Sequence, residues 1–179
     1  MNCKQALFRS KVKRTIGLVV GIPAALSLAV SLLKFLYFRI DNDSQIGSML
    51  ATPAKWFVHW IYSHTPFLSF LWEHAPIPNH IRIDTEENLY FVLIYAAFFI
   101  ALAFKAAGNK LAERYEKMRE LVDQEMITAS HAKMARSIQE LENTVEIPDA
   151  SIFSQKGPLY IAPLVVAVAG VGILKLSGF

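Results

Sequence analysis

The stretch from Thr15 to Phe38 reads TIGLVVGIPAALSLAVSLLKFLYF, twenty-four residues with a single charge, Lys34. A helix rises about 1.5 Å per residue, so this run is long enough to cross a hydrocarbon core of roughly 30 Å. In lipid only a helix or a closed barrel satisfies its own backbone polar groups, and so continuous an apolar run excludes a barrel strand. Two further runs, Leu89–Ala107 and Leu159–Leu176, have the same character. The sequence therefore predicts an all-α membrane protein with three transmembrane helices. An outer interfacial aromatic helix segment at 52–74 and a cytoplasmic amphipathic helical hairpin within 108–157 complete the expected architecture.

Composition agrees with that frame. Of 179 residues, 54% are hydrophobic and 18% charged, against about 25% charged in ordinary soluble domains. The mean hydropathy is +0.34. One membrane domain, 1–179, fits the length. The lone cysteine, Cys3, cannot form an internal disulfide. The first apolar run is too long for a signal-peptide core and no A-x-A pattern closes it, so it reads as a retained anchor.

Charge sets the expected topology. Lys4, Arg9, Lys11, Lys13 and Arg14 crowd the arm 1–14, and Lys105, at the end of the second run, is followed by Lys110, Arg114, Lys117 and Arg119. Excess Lys/Arg beside a span holds that end in the cytoplasm. The connection 39–88 has few bases and six acids, so it belongs outside. The N-terminus is then cytoplasmic and the C-terminus outside, in a bacterial inner membrane. The net charge of +3 is spent on topology, and no nucleic-acid partner is expected. Lys34 and Lys175 lie about one turn inside the outer ends of their spans, where an ammonium can snorkel to headgroups.

Three sets of residues stand out. Gly17, Gly21, Ala25 and Ala29 recur every four positions, a small-residue strip that lets another helix approach closely. Its partner is either the third span, through Ala162, Ala169, Gly170 and Gly172, or another copy. In the outer segment Trp56, Trp60, Phe67 and Trp72 mark an interfacial aromatic surface, since such rings are apolar at one end and polar at the other. Pro66 interrupts the helix, and a second short helix begins at Phe67. On the cytoplasmic side Leu111, Tyr115, Met118 and Val122, then Met134, Ile138 and Leu141, keep helical spacing and form a candidate association face. The register breaks before Ile127, which places a turn near Met126–Thr128.

No catalytic, cofactor or metal motif emerges. His59 and His64 are five apart, whereas a helical ligand pair needs three or four. The spans hold no acids or histidines of the kind proton-coupled transport requires. A non-enzymatic protein acting by association, with lipid, itself or an unidentified protein, is the favoured function. An oligomeric pore or membrane-perturbing effector is the first alternative. A lipid-acting enzyme using His64, Glu73, His74 or His80 is the second.

The block Thr65-Pro66-Phe67-Leu68-Ser69-Phe70-Leu71-Trp72, followed by Pro76-Ile77-Pro78-Asn79, resembles the YniB-like family of small bacterial inner-membrane proteins. Ile22-Pro23-Ala24 with Ser31–Phe35, and Ile152-Phe153 with Leu159–Pro163, extend the resemblance along the chain. It implies an inner-membrane protein without an assigned activity, and it brings no catalytic residues to carry over.

Overall fold

The computed structural model describes residues 3–39, 45–79, 84–128 and 147–176. Among them every regular element is helical. In chain order these are α1 (Cys3–Arg39), α2 (Gln45–His64), a 3-10 turn (Pro66–Leu68), α3 (Ser69–His74) and α4 (Glu86–Thr128). A 3-10 turn (Ile152–Ser154), a π turn (Gly157–Ile161) and α5 (Ala162–Leu176) follow.

Two helices, over Lys4–Phe38 and Glu86–Gln124, are long and apolar enough to cross a membrane; the third apolar helix, Gly157–Gly172, is shorter. Both long helices overrun their apolar runs. α1 takes in the basic arm, and α4 continues for 43 residues through the charged segment to Thr128. No glycine or proline lies between Asn109 and Thr128, and the many Lys, Arg and Glu residues there are nearly as good helix formers as leucine. The change of composition after Ala107 thus marks a change of surroundings and leaves the backbone unaltered. Helix persists through the expected turn at Met126–Thr128; the expected second arm, with Met134, Ile138 and Leu141, lies outside the described residues.

The chain divides into two units, Met1–Val19 with Ile100–Leu159, and Val20–Phe99 with Tyr160–Phe179. In the first, α1 and α4 run antiparallel. Gly17 lies against Ala101 and Lys105, and Ser10 against Gly108, so one helix descends as the other rises. Ala6, Ala107, Leu111, Ile147 and Ala150 form the core, with Tyr115, Met118 and Ile152 packed against it. The helices meet backbone to backbone. A Cβ on Gly17 would stand 2.7 Å from Ala101 O and 2.8 Å from Lys105 N; one on Gly108 would stand 2.9 Å from Ser10 O. The Ser10 hydroxyl, buried between them, donates to Gly108 O at 2.9 Å, which satisfies a polar group that would otherwise be costly there.

In the second unit Val30, Val58, Trp72 and Ala75 form the core, flanked by Leu33, Leu36, Ile61, Leu68 and Leu71. Thr65 closes α2. Its hydroxyl donates to Ile61 O at 2.8 Å and accepts from Trp72 Nε1 at 3.1 Å. Pro66 then opens the 3-10 turn, where its missing N–H costs nothing. At the start of α4 the Asn88 N–H reaches Thr85 Oγ1 at 3.4 Å, and Glu86 and Glu87 fill the first turn; both features favour a helix N-terminus. Tyr95 donates to Pro163 O of α5 at 2.6 Å.

Candidate functional site

The small-residue strip is placed only in part as its spacing suggested. Gly17 and Gly21 are buried, Ala25 is half-buried and Ala29 is exposed. A strict four-residue repeat turns about 40° further round the helix at each step, because a residue advances about 100°. The buried face instead mixes steps of three and four through Gly17, Gly21, Ala24, Ser27 and Ser31. The partner of Gly17 is α4, and the expected third-span contact is not what it meets; Gly170 and Gly172 have open space where a Cβ would go. The complementary signal is the set of small residues Ala101, Ala107 and Gly108 on α4.

The cytoplasmic stripe begins in a core. Leu111 is fully buried, Tyr115 and Met118 pack against the same cluster, and Val122 is half-buried. What the first turns of this stripe cover is therefore Ala6, Ile147 and Ala150 of the same chain. The segment carrying Ile147 is held by charge. Lys13 Nζ donates to Asp149 Oδ1 at 2.7 Å and to Ala150 O at 2.8 Å, Arg9 adds a longer contact of 3.4 Å, and Arg114 donates to Pro148 O at 2.8 Å.

That clamp has a pH signature. The hydrogen bond from Lys13 is the main influence holding the Asp149 carboxyl below its ordinary 3.8; it outweighs desolvation, which pushes the carboxyl up, and the charges of Lys13 and Arg9 add to it. A carboxyl depressed in the folded state stabilises the fold above its unfolded value, and that contribution is lost as pH falls through the folded value. The loss belongs below about pH 4. Asp149 is 44% exposed, so the effect is small, under about 1 kcal/mol. Asp149→Asn should lower the melting temperature slightly at neutral pH. Its further loss between neutrality and about pH 3 should be smaller than the wild type's; equal losses would mean that the clamp contributes nothing.

The second unit presents the aromatic surface. Trp56, Trp60 and Phe67 are exposed, Phe67 at 78%, with Phe57 and Phe70 beside them. Trp72 differs. It is buried in the core, edge-on to Tyr62 at 5.3 Å, and anchors the surface from behind. His64 lies tilted against Trp60 at 4.5 Å and His74 stacks on Phe70 at 4.4 Å. Each bonds through Nδ1 to a carbonyl of its own helix, Trp60 O at 2.8 Å and Phe70 O at 2.9 Å. A carbonyl only accepts, so Nδ1 carries the proton in both rings. Among the described residues no hydrogen bond joins His64, Glu73 and His74, and no group of three His, Cys, Asp or Glu is placed to hold a metal ion. His80 lies outside the described residues.

Beside this surface is a cavity of about 290 Å³ lined by Lys34, Tyr37, Phe38, Val58, His59, Tyr62 and Trp72. Lys34 Nζ donates to Ala75 O at 2.8 Å. The sequence marked Lys34 only as a cation near a span end. The hydrogen bond to the carbonyl that follows α3 connects residues 41 apart, and no local pattern announces such a contact.

These features define a class: a protein whose described residues are helical, with two apolar helices of membrane length whose most apolar stretches are only 28% and 17% buried, unlike the core helix of a soluble domain. The chain belongs to the YniB-like protein family, whose model matches residues 15–179. Two curated relatives are similar over their whole length. A Yersinia pestis protein, "Putative YfeABCD regulator YfeE", is 29% identical over 179 residues, 99% of this chain and 97% of its own. The Escherichia coli K12 "Uncharacterized protein YniB" is 29% identical over 180 residues, 100% of this chain and 99% of its own. No solved structure matches the chain.

Proposed function

We propose that this chain is a three-span inner-membrane protein that regulates a membrane assembly by associating with it, without catalysis of its own. The observation that carries the reading is the preformed aromatic surface on α2 and α3. Trp72 bonded to Thr65, and Lys34 bonded to Ala75, brace it from within while Trp56, Phe57, Trp60, Phe67 and Phe70 face outward. Rigid aromatic side chains offer large contact area at little entropic cost, and they dominate protein recognition. The name of the Yersinia relative, which calls that protein a regulator, supports the same direction.

The spans in this reading are 15–38, 89–107 and 159–176. Exposed Leu164, Val165, Val168 and Val171 of α5 meet lipid, as do Val19, Val92 and Leu93 of the long helices. The basic ends of α1 and α4 lie in the cytoplasm and the aromatic surface lies at the outer interface. A reporter active only outside the cytoplasm should be active when fused after Phe179 and inactive when fused after Glu142; the reverse pattern overturns the topology. For association, a photocrosslinking residue placed at Trp60 in living cells should trap one discrete protein or a second copy. Adducts with lipid alone, together with a monodisperse monomer in mild detergent, would overturn the functional reading.

A further inference from the structure

We infer that the cavity beside Lys34 binds the phosphate of an anionic phospholipid headgroup, an inference that rests on the membrane-spanning reading above. Lys34 is its centre. One proton of the ammonium goes to Ala75 O at 2.8 Å, which fixes the nitrogen and leaves two protons for a ligand. Among the described residues no carboxylate pairs with it; their ion pairs are Arg9–Asp149, Lys13–Asp149 and Lys117–Glu113. The other walls are mostly apolar or aromatic, from Tyr37, Phe38, Val58, Tyr62 and Trp72, with His59 the one further basic side chain. An ammonium facing such walls without a counter-charge is costly, and an anion entering the cavity removes that cost.

Size and depth choose the phospholipid over a free ion. At about 290 Å³ the space exceeds what one phosphate ion fills and suits a glycerophosphate headgroup. Lys34 stands four residues before Phe38, where the apolar helix ends, so its backbone lies about 6 Å inside that end, within reach of the headgroup level for a lysine side chain. Phe38, on the cavity rim, is 62% exposed, an apolar surface against which an acyl chain can lie. Tyr37 and Tyr62 also line the cavity, and no hydrogen bond occupies their hydroxyls among the described residues.

The test uses the purified full-length protein in mild detergent, titrated with dioleoylphosphatidylglycerol, dioleoylphosphatidylcholine and inorganic phosphate. Bound lipid is counted by native mass spectrometry, with melting temperature as a second readout. Phosphatidylglycerol should be retained at one molecule per chain and raise the melting temperature; phosphatidylcholine and inorganic phosphate should do neither. Lys34→Met should weaken phosphatidylglycerol binding at least about tenfold, the cost of one charge-assisted contact, while Lys34→Arg and Lys55→Ala retain it. His59→Glu leaves Lys34 and its bond to Ala75 in place but sets a carboxylate on the cavity wall, and it should abolish binding in a folded protein.

Equal retention by Lys34→Met or His59→Glu overturns the site. An equal response to phosphatidylcholine, or to inorganic phosphate, overturns its assignment to anionic lipid. Carbonate extraction of cell membranes separates the two readings. A chain that stays in the membrane but binds no phosphatidylglycerol loses the lipid site alone, whereas one released by carbonate loses the membrane reading as well.

Discussion

Gly17→Ala will lower the stability of the purified protein by about 1–3 kcal/mol, the usual cost of forcing an extra methyl into a packed contact. Alanine is the better helix former by about 1 kcal/mol, so propensity alone predicts the opposite sign. Packing wins because the new Cβ would lie 2.7 Å from Ala101 O and 2.8 Å from Lys105 N, both backbone atoms that cannot swing aside. Gly170→Ala provides the contrast: nothing stands within 4 Å of a Cβ there, and the substitution should be neutral or slightly stabilising. Val19→Leu, on the 66% exposed side of α1, controls for added bulk. Detergent unfolding curves of the three variants decide the matter. If Gly17→Ala melts with Val19→Leu, α1 and α4 do not meet in the way described.

Leu111→Ala should cost more, about 2–5 kcal/mol. The side chain is fully buried, and three of its four core neighbours are alanines, Ala6, Ala107 and Ala150. Alanines have no side-chain freedom with which to collapse into the space left behind, so the cavity term remains. Leu121→Ala on the same helix, 56% exposed, should stay within about 0.5 kcal/mol of wild type. The comparison bears on function too, since Leu111 opens the stripe expected to form an association face. Unfolding free energies that match for the two variants would return Leu111 to the exposed association face. A large loss confined to Leu111 would leave it in the structural core, with recruitment falling to residues further along α4.

Much of this protein is written in its order of residues. Continuous apolar runs dictate helices because no other open structure satisfies the backbone in lipid, and Pro66 announces the break after α2 because it has no N–H to offer. The aromatic content of α2 and α3 is equally legible, and so is the glycine pair Gly17 and Gly21. The tertiary structure decided what each surface meets. A four-residue repeat points along a helix but drifts round it, so only packing could bury Ala24 and leave Ala29 exposed. The boundary after Ala107 was one of hydropathy, and hydrogen bonds along the backbone carried α4 on to Thr128 regardless. Trp72 and Trp56 are the same residue type in the same segment, yet Trp72 is held in the core by Thr65 and Tyr62 while Trp56 is 67% exposed. Lys34 with Ala75 and Lys13 with Asp149 join residues 41 and 136 apart. Sequence by itself supplies the charges and the helices that bear them; which charge meets which partner, and whether any space remains beside it, depends on how distant helices pack.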